Sequence, residues 1–292
     1  MSGIDLAALL TTLLALAAVG TIVWQVSDPA DRRWLTCLCV FGLPLSPLAF
    51  YVIRLPLDRV LTNWIGKDSL LLIVCQLCYA PCTEEPAKLL PLLFVWPFFK
   101  QRLQPRNLVP AALALGLGFA IGEMWLVAHF VRSKPELATL PFYQFGGFLN
   151  ERLMTCVTHA GFTVLALWGL QRGGLRIILG MLAAMLAHFL GNFPIFLMSI
   201  DCGGWGSDVW GAIVFAWVLG FVVASFVLLT VMHGGVKLLR RVLKAKMKCP
   251  ECGATYSQPW LGGNFGMWRY EPCGACHKWH WISLRDLPSE SE

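Results

Sequence analysis

Polar and apolar positions in this chain sort into long apolar stretches divided by short polar punctuation. Hydropathy predicts about seven membrane-spanning helices, at roughly 4–25, 34–53, 70–99, 108–131, 148–170, 175–198 and 208–233. Each is long enough, since a helix needs about 20 apolar residues to cross a bilayer. Gly42, Pro44 and Pro47 weaken the second stretch and predict a kink or break there. Asp28-Pro29, Gln104-Pro105-Arg106-Asn107, Lys134-Pro135 and Gly173-Gly174 punctuate the loops. No internal repeat is visible. The chain opens Met-Ser-Gly-Ile-Asp, without a basic n-region or a clear cleavage site, so residues 4–25 are expected to be a retained helix and not a signal peptide.

Composition agrees with that pattern. Of 292 residues 57% are hydrophobic and 14% charged, and the mean hydropathy is +0.63, outside the range of a soluble globular domain. The net charge of +6 reads as membrane topology more than as affinity for nucleic acid. The basic run Lys237, Arg240, Arg241, Lys244, Lys246, Lys248 directly follows the last span and suits a cytoplasmic face. With the C-terminus cytoplasmic, Arg32/Arg33, Lys100/Arg102/Arg106 and Arg172/Arg176 fall on the same side, and the N-terminus lies outside. Two outer segments fit less well: 54–68 carries Arg54, Arg59 and Lys67, and 132–147 carries Arg132 and Lys134.

Against this apolar background a few polar residues stand out. Glu84, Glu85 and Lys88 lie inside the third stretch, where each charge costs at least about 2.5–3.5 kcal/mol to insert. Glu123 sits in the fourth stretch, His159 in the fifth, and His188 with Asn192 in the sixth. At the rise of a helix all lie near the midplane or its outer half. Helical phase puts Lys88 between Glu84 and Glu85, so that it can hold one carboxylate ionised while the other works; His188 and Asn192 share a face, as do Arg152, Thr155 and His159. Taken alone, each residue has a plainer account: an ion pair with Lys88, an interhelical hydrogen bond, a pairing of Glu123 with Lys88 or Arg152. Together, groups from four helices meeting at one depth point to a site.

Such a set suits activation of water by a carboxylate, with imidazole or neutral polar groups steadying an oxyanion. It equally suits a divalent metal that lowers the pKa of bound water. There is no His-Glu-x-x-His motif, and the residues leave the choice open, as they do that between Glu84 and Glu85 as base. The rival is a non-hydrolytic transporter, scaffold or sensor whose midplane charges form a relay. Cys75, Cys78 and Cys82 share a stripe that reads as packing more readily than as a second metal site, and Gly116, Gly118 and Gly122 read as a close helix approach.

At these positions the chain resembles the PrsW-type intramembrane proteases, within the wider clan of CAAX-prenyl proteases and bacteriocin-processing enzymes. The resemblance rests on Glu84-Glu85-x-x-Lys88, Phe119-x-x-x-Glu123, His159-Ala160-Gly161-Phe162 and His188-x-x-x-Asn192, in that order, over residues 70–195. Lys88 and Glu123 stand where the wider clan often has Arg and His, which favours the PrsW branch. The resemblance implies an endopeptidase of a prokaryotic cytoplasmic membrane that cuts a membrane-protein or membrane-proximal substrate, with Glu84 or Glu85 as base. Lys88, Glu123, His159, His188 and Asn192 would complete the site.

The tail holds a separate signature. Cys249-x-x-Cys252 and Cys273-x-x-Cys276 have the spacing of a four-thiolate structural zinc site in a unit too short to fold on its core alone. His277 and His280 are expected at its surface. Trp260, Trp268, Trp279 and Trp281 form its small core or a face against the membrane or a partner. The expected architecture is an all-α polytopic membrane protein with a C-terminal zinc ribbon. Its parts are a protease-like helical domain over 1–236, a basic juxtamembrane linker over 237–248, and the ribbon and tail over 249–292. The expected partners are membrane lipids and a membrane substrate; nothing specific supports nucleic acid.

Overall fold

The computed structural model describes residues 1–67, 69–234, 246–257, 262–265 and 268–283. Most of the basic linker (235–245) and Trp260 lie outside them. The chain divides into two compact units, Met1–His233 and Gly234–Glu292.

The first unit is helical throughout. Helices α1 (Gly3–Ala15) and α2 (Thr21–Val26) are joined through a π-helical turn, Leu16–Gly20. Next come α3 (Arg32–Gly42), α4 (Leu45–Leu48), a π-helical turn at Ala49–Arg54, and α5 (Leu55–Ile65). The expected break falls at Leu43 and Pro44, where proline supplies no N–H to continue α3. The segment past residue 53, expected as an outer loop, is instead helical through Ile65. Its polar residue Asp58 is held by Gln76 (2.9 Å) and Tyr79 of the next helix.

That next helix, α6 (Leu70–Phe94), stops short of the expected residue 99, and α7 (Trp96–Arg102) restarts with Pro97 in its first turn. Then follow α8 (Leu108–Arg132), α9 (Pro135–Ala138), α10 (Gly146–Arg172), α11 (Leu175–Ser199) and α12 (Gly206–Met232). Six helical stretches among the described residues are long and apolar enough to cross a membrane. Of the seven expected, α6 drops out on composition because Glu84, Glu85 and Lys88 lower its hydropathy, although its 25 residues suffice in length.

Helix α8 is the core. It is buried along most of its length and packs against α3 and α10. Its small residues let backbones touch: a Cβ on Gly118 would stand 2.0 Å from the Cys39 carbonyl oxygen, and one on Gly122 1.9 Å from that of Leu43. Helices α10 and α11 are antiparallel neighbours linked by Gly173 and Gly174, both at positive φ (72° and 59°) that only glycine adopts without strain. Helix α6 packs on α11, which brings its charged turn to the same depth as His188.

In the second unit β1 (Lys246–Lys248) pairs antiparallel with β2 (Thr255–Ser257). A separate sheet runs β3 (Gly263–Phe265), β4 (Trp268–Pro272), β5 (Trp279–Ser283), also antiparallel. Cys249, Tyr256, Cys273 and Ile282 form its core. His277 is exposed as expected, but His280 is buried. The alternation of β5 turns it inward, where its Nε2 lies 2.8 Å from the Tyr256 hydroxyl.

Candidate functional site

Each polar group singled out in the apolar stretches arrives at one centre, carried by α6, α8, α10 and α11. Lys88 is completely buried. Its ammonium donates to Glu85 Oε1 at 2.7 Å and to His159 Nδ1 at 2.9 Å, and lies 4.6 Å from the ring centre of Phe119, in cation–π contact. With Nδ1 accepting, the His159 proton sits on Nε2 and is donated to Glu123 Oε2 at 2.7 Å. Arg152 donates to the other oxygen of Glu123 at 3.0 Å and to Glu151 at 2.5 Å. His188 donates from Nδ1 to Glu85 Oε1 at 2.6 Å, and its Nε2 faces Glu84 Oε2 at 3.8 Å. The Phe162 ring stacks on His188, centroids 5.1 Å apart at 14°.

Glu84 pairs with Arg54, whose Nη1 donates at 2.5 Å. Each central carboxylate has a cation: Arg54 for Glu84, Lys88 for Glu85, and Arg152 for Glu123, which shares that guanidinium with Glu151. Burial of Glu84 and Glu85, and partial burial of Glu123, is tolerable only with such partners. Arg54 was not among the expected site residues, nor was Glu151. The available signal for Arg54 was negative, a cation in a segment that fitted the charge bias poorly.

A cavity of about 180 Å³ opens at the centre. Its lining combines polar Glu84, Glu123, His159, His188, Asn192, Arg54 and Arg152 with apolar Phe162, Ile195, Val218 and Phe221. Glu85 and Lys88 do not reach it. The two adjacent glutamates therefore occupy different places: Glu84 opens on the cavity, and Glu85 lies behind it, tied to Lys88 and His188. Asn192, one turn beyond His188, contributes to the cavity wall, and its side-chain amide has no hydrogen-bond partner among the described residues.

Two donor sets are close enough to share an ion, Glu85/His159/His188 and Glu84/Glu123/His159, with ligand atoms within 4.8 Å of one another. Glu85 Oε2 is a buried acceptor without a partner among the described residues. The first set already holds a cation of the protein's own, the Lys88 ammonium, and both of its Nδ1 atoms are engaged. The second opens on the cavity. Carboxylate and imidazole are both zinc ligand types, so this second set fits a resident metal, provided that His159 Nε2 gives up the proton it donates to Glu123.

The ribbon carries the other cluster. Cys249, Cys252, Cys273 and Cys276 converge, with Sγ–Sγ separations of 3.8 Å (Cys249–Cys276) and 3.9 Å (Cys252–Cys273). Tetrahedral zinc–sulfur bonds of about 2.3 Å place sulfurs ~3.8 Å apart. Backbone N–H groups of Cys276 and Ala275 point at Cys273 Sγ and lower its thiol to about 7, toward the thiolate a metal needs. Gly253 and His277, each directly after a Cys-x-x-Cys pair, take matching positive φ of 71° and 58°. This is a four-cysteine metal-binding cluster in a zinc-ribbon fold.

Fold and site together define a polytopic integral membrane protein with an ion-paired Glu/His centre whose acidic and imidazole groups come from four helices. A family model described as PrsW family intramembrane metalloprotease matches residues 30–225. The chain belongs to that family, and its membrane unit is an intramembrane protease. No match was found among curated proteins or among solved structures.

Proposed function

We propose that the chain hydrolyses a peptide bond in or beside the membrane with water activated at Glu84. The observation that carries this reading is the division between the two glutamates: only Glu84 faces the cavity. In this reading Glu84 takes the proton of a water that attacks the substrate carbonyl, and later gives it to the leaving amine. Asn192 donates to the developing oxyanion from the adjacent turn of α11. Glu85 acts through His188, fixing the imidazole by its Nδ1–H and leaving Nε2 toward Glu84. Lys88 pairs with Glu85 and fixes the His159 tautomer, and His159 in turn orients Glu123. Where a metal is resident, Glu84 and Glu123 with His159 or His188 would hold it, and it would supply a water of lowered pKa.

The remaining parts follow the same reading. The tail cysteines hold a structural Zn²⁺, the C-terminus is cytoplasmic, and the membrane is a prokaryotic cytoplasmic one. The substrate is a membrane protein or membrane-proximal peptide.

The test is a comparison of Glu84→Gln with Glu85→Gln in reconstituted vesicles. Glu84→Gln should lower turnover by about 10²–10⁴-fold, the usual worth of a general base, with unchanged thermal unfolding. Glu85→Gln should lose activity and stability together. Full turnover in Glu84→Gln would overturn the assignment.

A further inference from the structure

The three-stranded sheet of the ribbon sorts its residues inside out. Along β5, Trp279 and Trp281 face outward while His280 and Ile282 face inward. Along β4, Arg269 and Glu271 are buried and Tyr270 faces outward. The inner polar groups satisfy one another: Arg269 Nε donates to Glu271 Oε2 at 2.5 Å and the Tyr256 hydroxyl donates to Glu271 Oε1 at 3.0 Å. Burial, with Glu271 beside it, raises the Tyr256 phenol above its ordinary range.

The outer face is a continuous aromatic surface. Tyr270 pairs across the strands with Trp281, ring centroids 4.9 Å apart, and lies 5.2 Å from Trp279. The three residues are 36%, 53% and 50% exposed respectively. Charged groups inside and large aromatics outside reverse the usual partition, and a contiguous exposed aromatic patch marks an interaction surface.

Two further facts say what covers it. Tyrosine and tryptophan, with an apolar ring and a polar edge, are the residues that settle at the lipid–water boundary. The ribbon is also tethered near that boundary: α12 ends at Met232 and β1 begins at Lys246, and about 13 intervening residues reach at most ~45 Å. The sequence between and into β1 contains Lys237, Arg240, Arg241, Lys244, Lys246 and Lys248 and no acidic residue, which complements an anionic headgroup layer.

We propose that the Tyr270–Trp279–Trp281 face docks the ribbon onto the anionic lipid surface of the membrane that the chain's own helices span. This proposal is independent of the peptidase reading.

The full chain, with a site-specific protease sequence inserted between Gly234 and Lys246, is reconstituted into phosphatidylethanolamine vesicles containing a minority of phosphatidylglycerol. After cutting, sedimentation reads how much ribbon stays with the vesicles, and zinc content reads whether it remains folded. The intact face should keep the ribbon with the vesicles, and retention should weaken with added salt. Changing Tyr270, Trp279 and Trp281 to Ser together should lower retention roughly tenfold with zinc retained. Should the triple variant lose zinc, the salt series on the intact chain decides. Release of the intact ribbon into the supernatant would overturn the proposal. So would equal retention on pure phosphatidylcholine, or retention by the membrane unit in lipid-free detergent, which would make the partner the protein itself.

Discussion

Lys88 is the hinge of the site at the scale of single residues. It is buried, holds Glu85 and His159 at once, and is flanked by Phe119 and Phe162. Removing one member of a buried pair leaves the other charge uncompensated. Lys88→Met is therefore expected to cost about 3–5 kcal/mol, read as a lower unfolding midpoint in detergent. Arg54→Met strips Glu84 of its only cation within hydrogen-bond distance among the described residues and should cost about 1–3 kcal/mol, with activity falling while membrane insertion is unchanged. A variant as active and as stable as the intact chain would remove Arg54 from the site.

The two residues differ in how far the sequence exposes them. Lys88 is conspicuous because it interrupts an apolar stretch. Arg54 is not, because it lies in a π-helical turn thirty positions before its partner, and only packing of that turn on α6 unites them. The Glu84/Glu85 ambiguity has a similar cause: helical phase separates their directions, but which one faces the cavity depends on where α11 and α12 stand.

Among the elements, α8 sets the geometry. Its glycines are legible as a close-approach series, while the partners they touch, the α3–α4 break and α10, are tertiary facts. Gly122→Ala would place a Cβ 1.9 Å from the Leu43 carbonyl oxygen. It should destabilise the membrane unit by at least about 1–3 kcal/mol and disturb Glu123, its sequence neighbour. Gly20→Ala meets nothing within 4 Å and serves as the neutral control; equal unfolding midpoints for the two would contradict the backbone contact. Helix α5 shows the opposite limit of sequence reading. Pro56, Asp58 and Arg59 break its apolar pattern, and what keeps it helical is packing on α6, with Asp58 held by Gln76 and Tyr79.

For the whole molecule, the two units carry separate stabilities. Cys273→Ser removes one of four converging thiolates, so the chain should lose one zinc per molecule and the ribbon its fold. The unfolding of Met1–His233 should not move, as measured by metal content alongside a thermal scan. The ribbon also marks where sequence reading stops. Its cysteine spacing announces the metal cluster, yet strand register decides that His280 turns inward and Trp279 outward, and no spacing rule conveys that register.

The central claim is that this membrane unit cuts peptide bonds with Glu84. The most direct measurement compares new protein N-termini in cells making the intact chain with those in cells making Glu84→Gln at matched, correctly inserted levels. New termini in or beside membrane segments that appear only with the intact chain are the expected result. Identical sets of termini across growth conditions would contradict it.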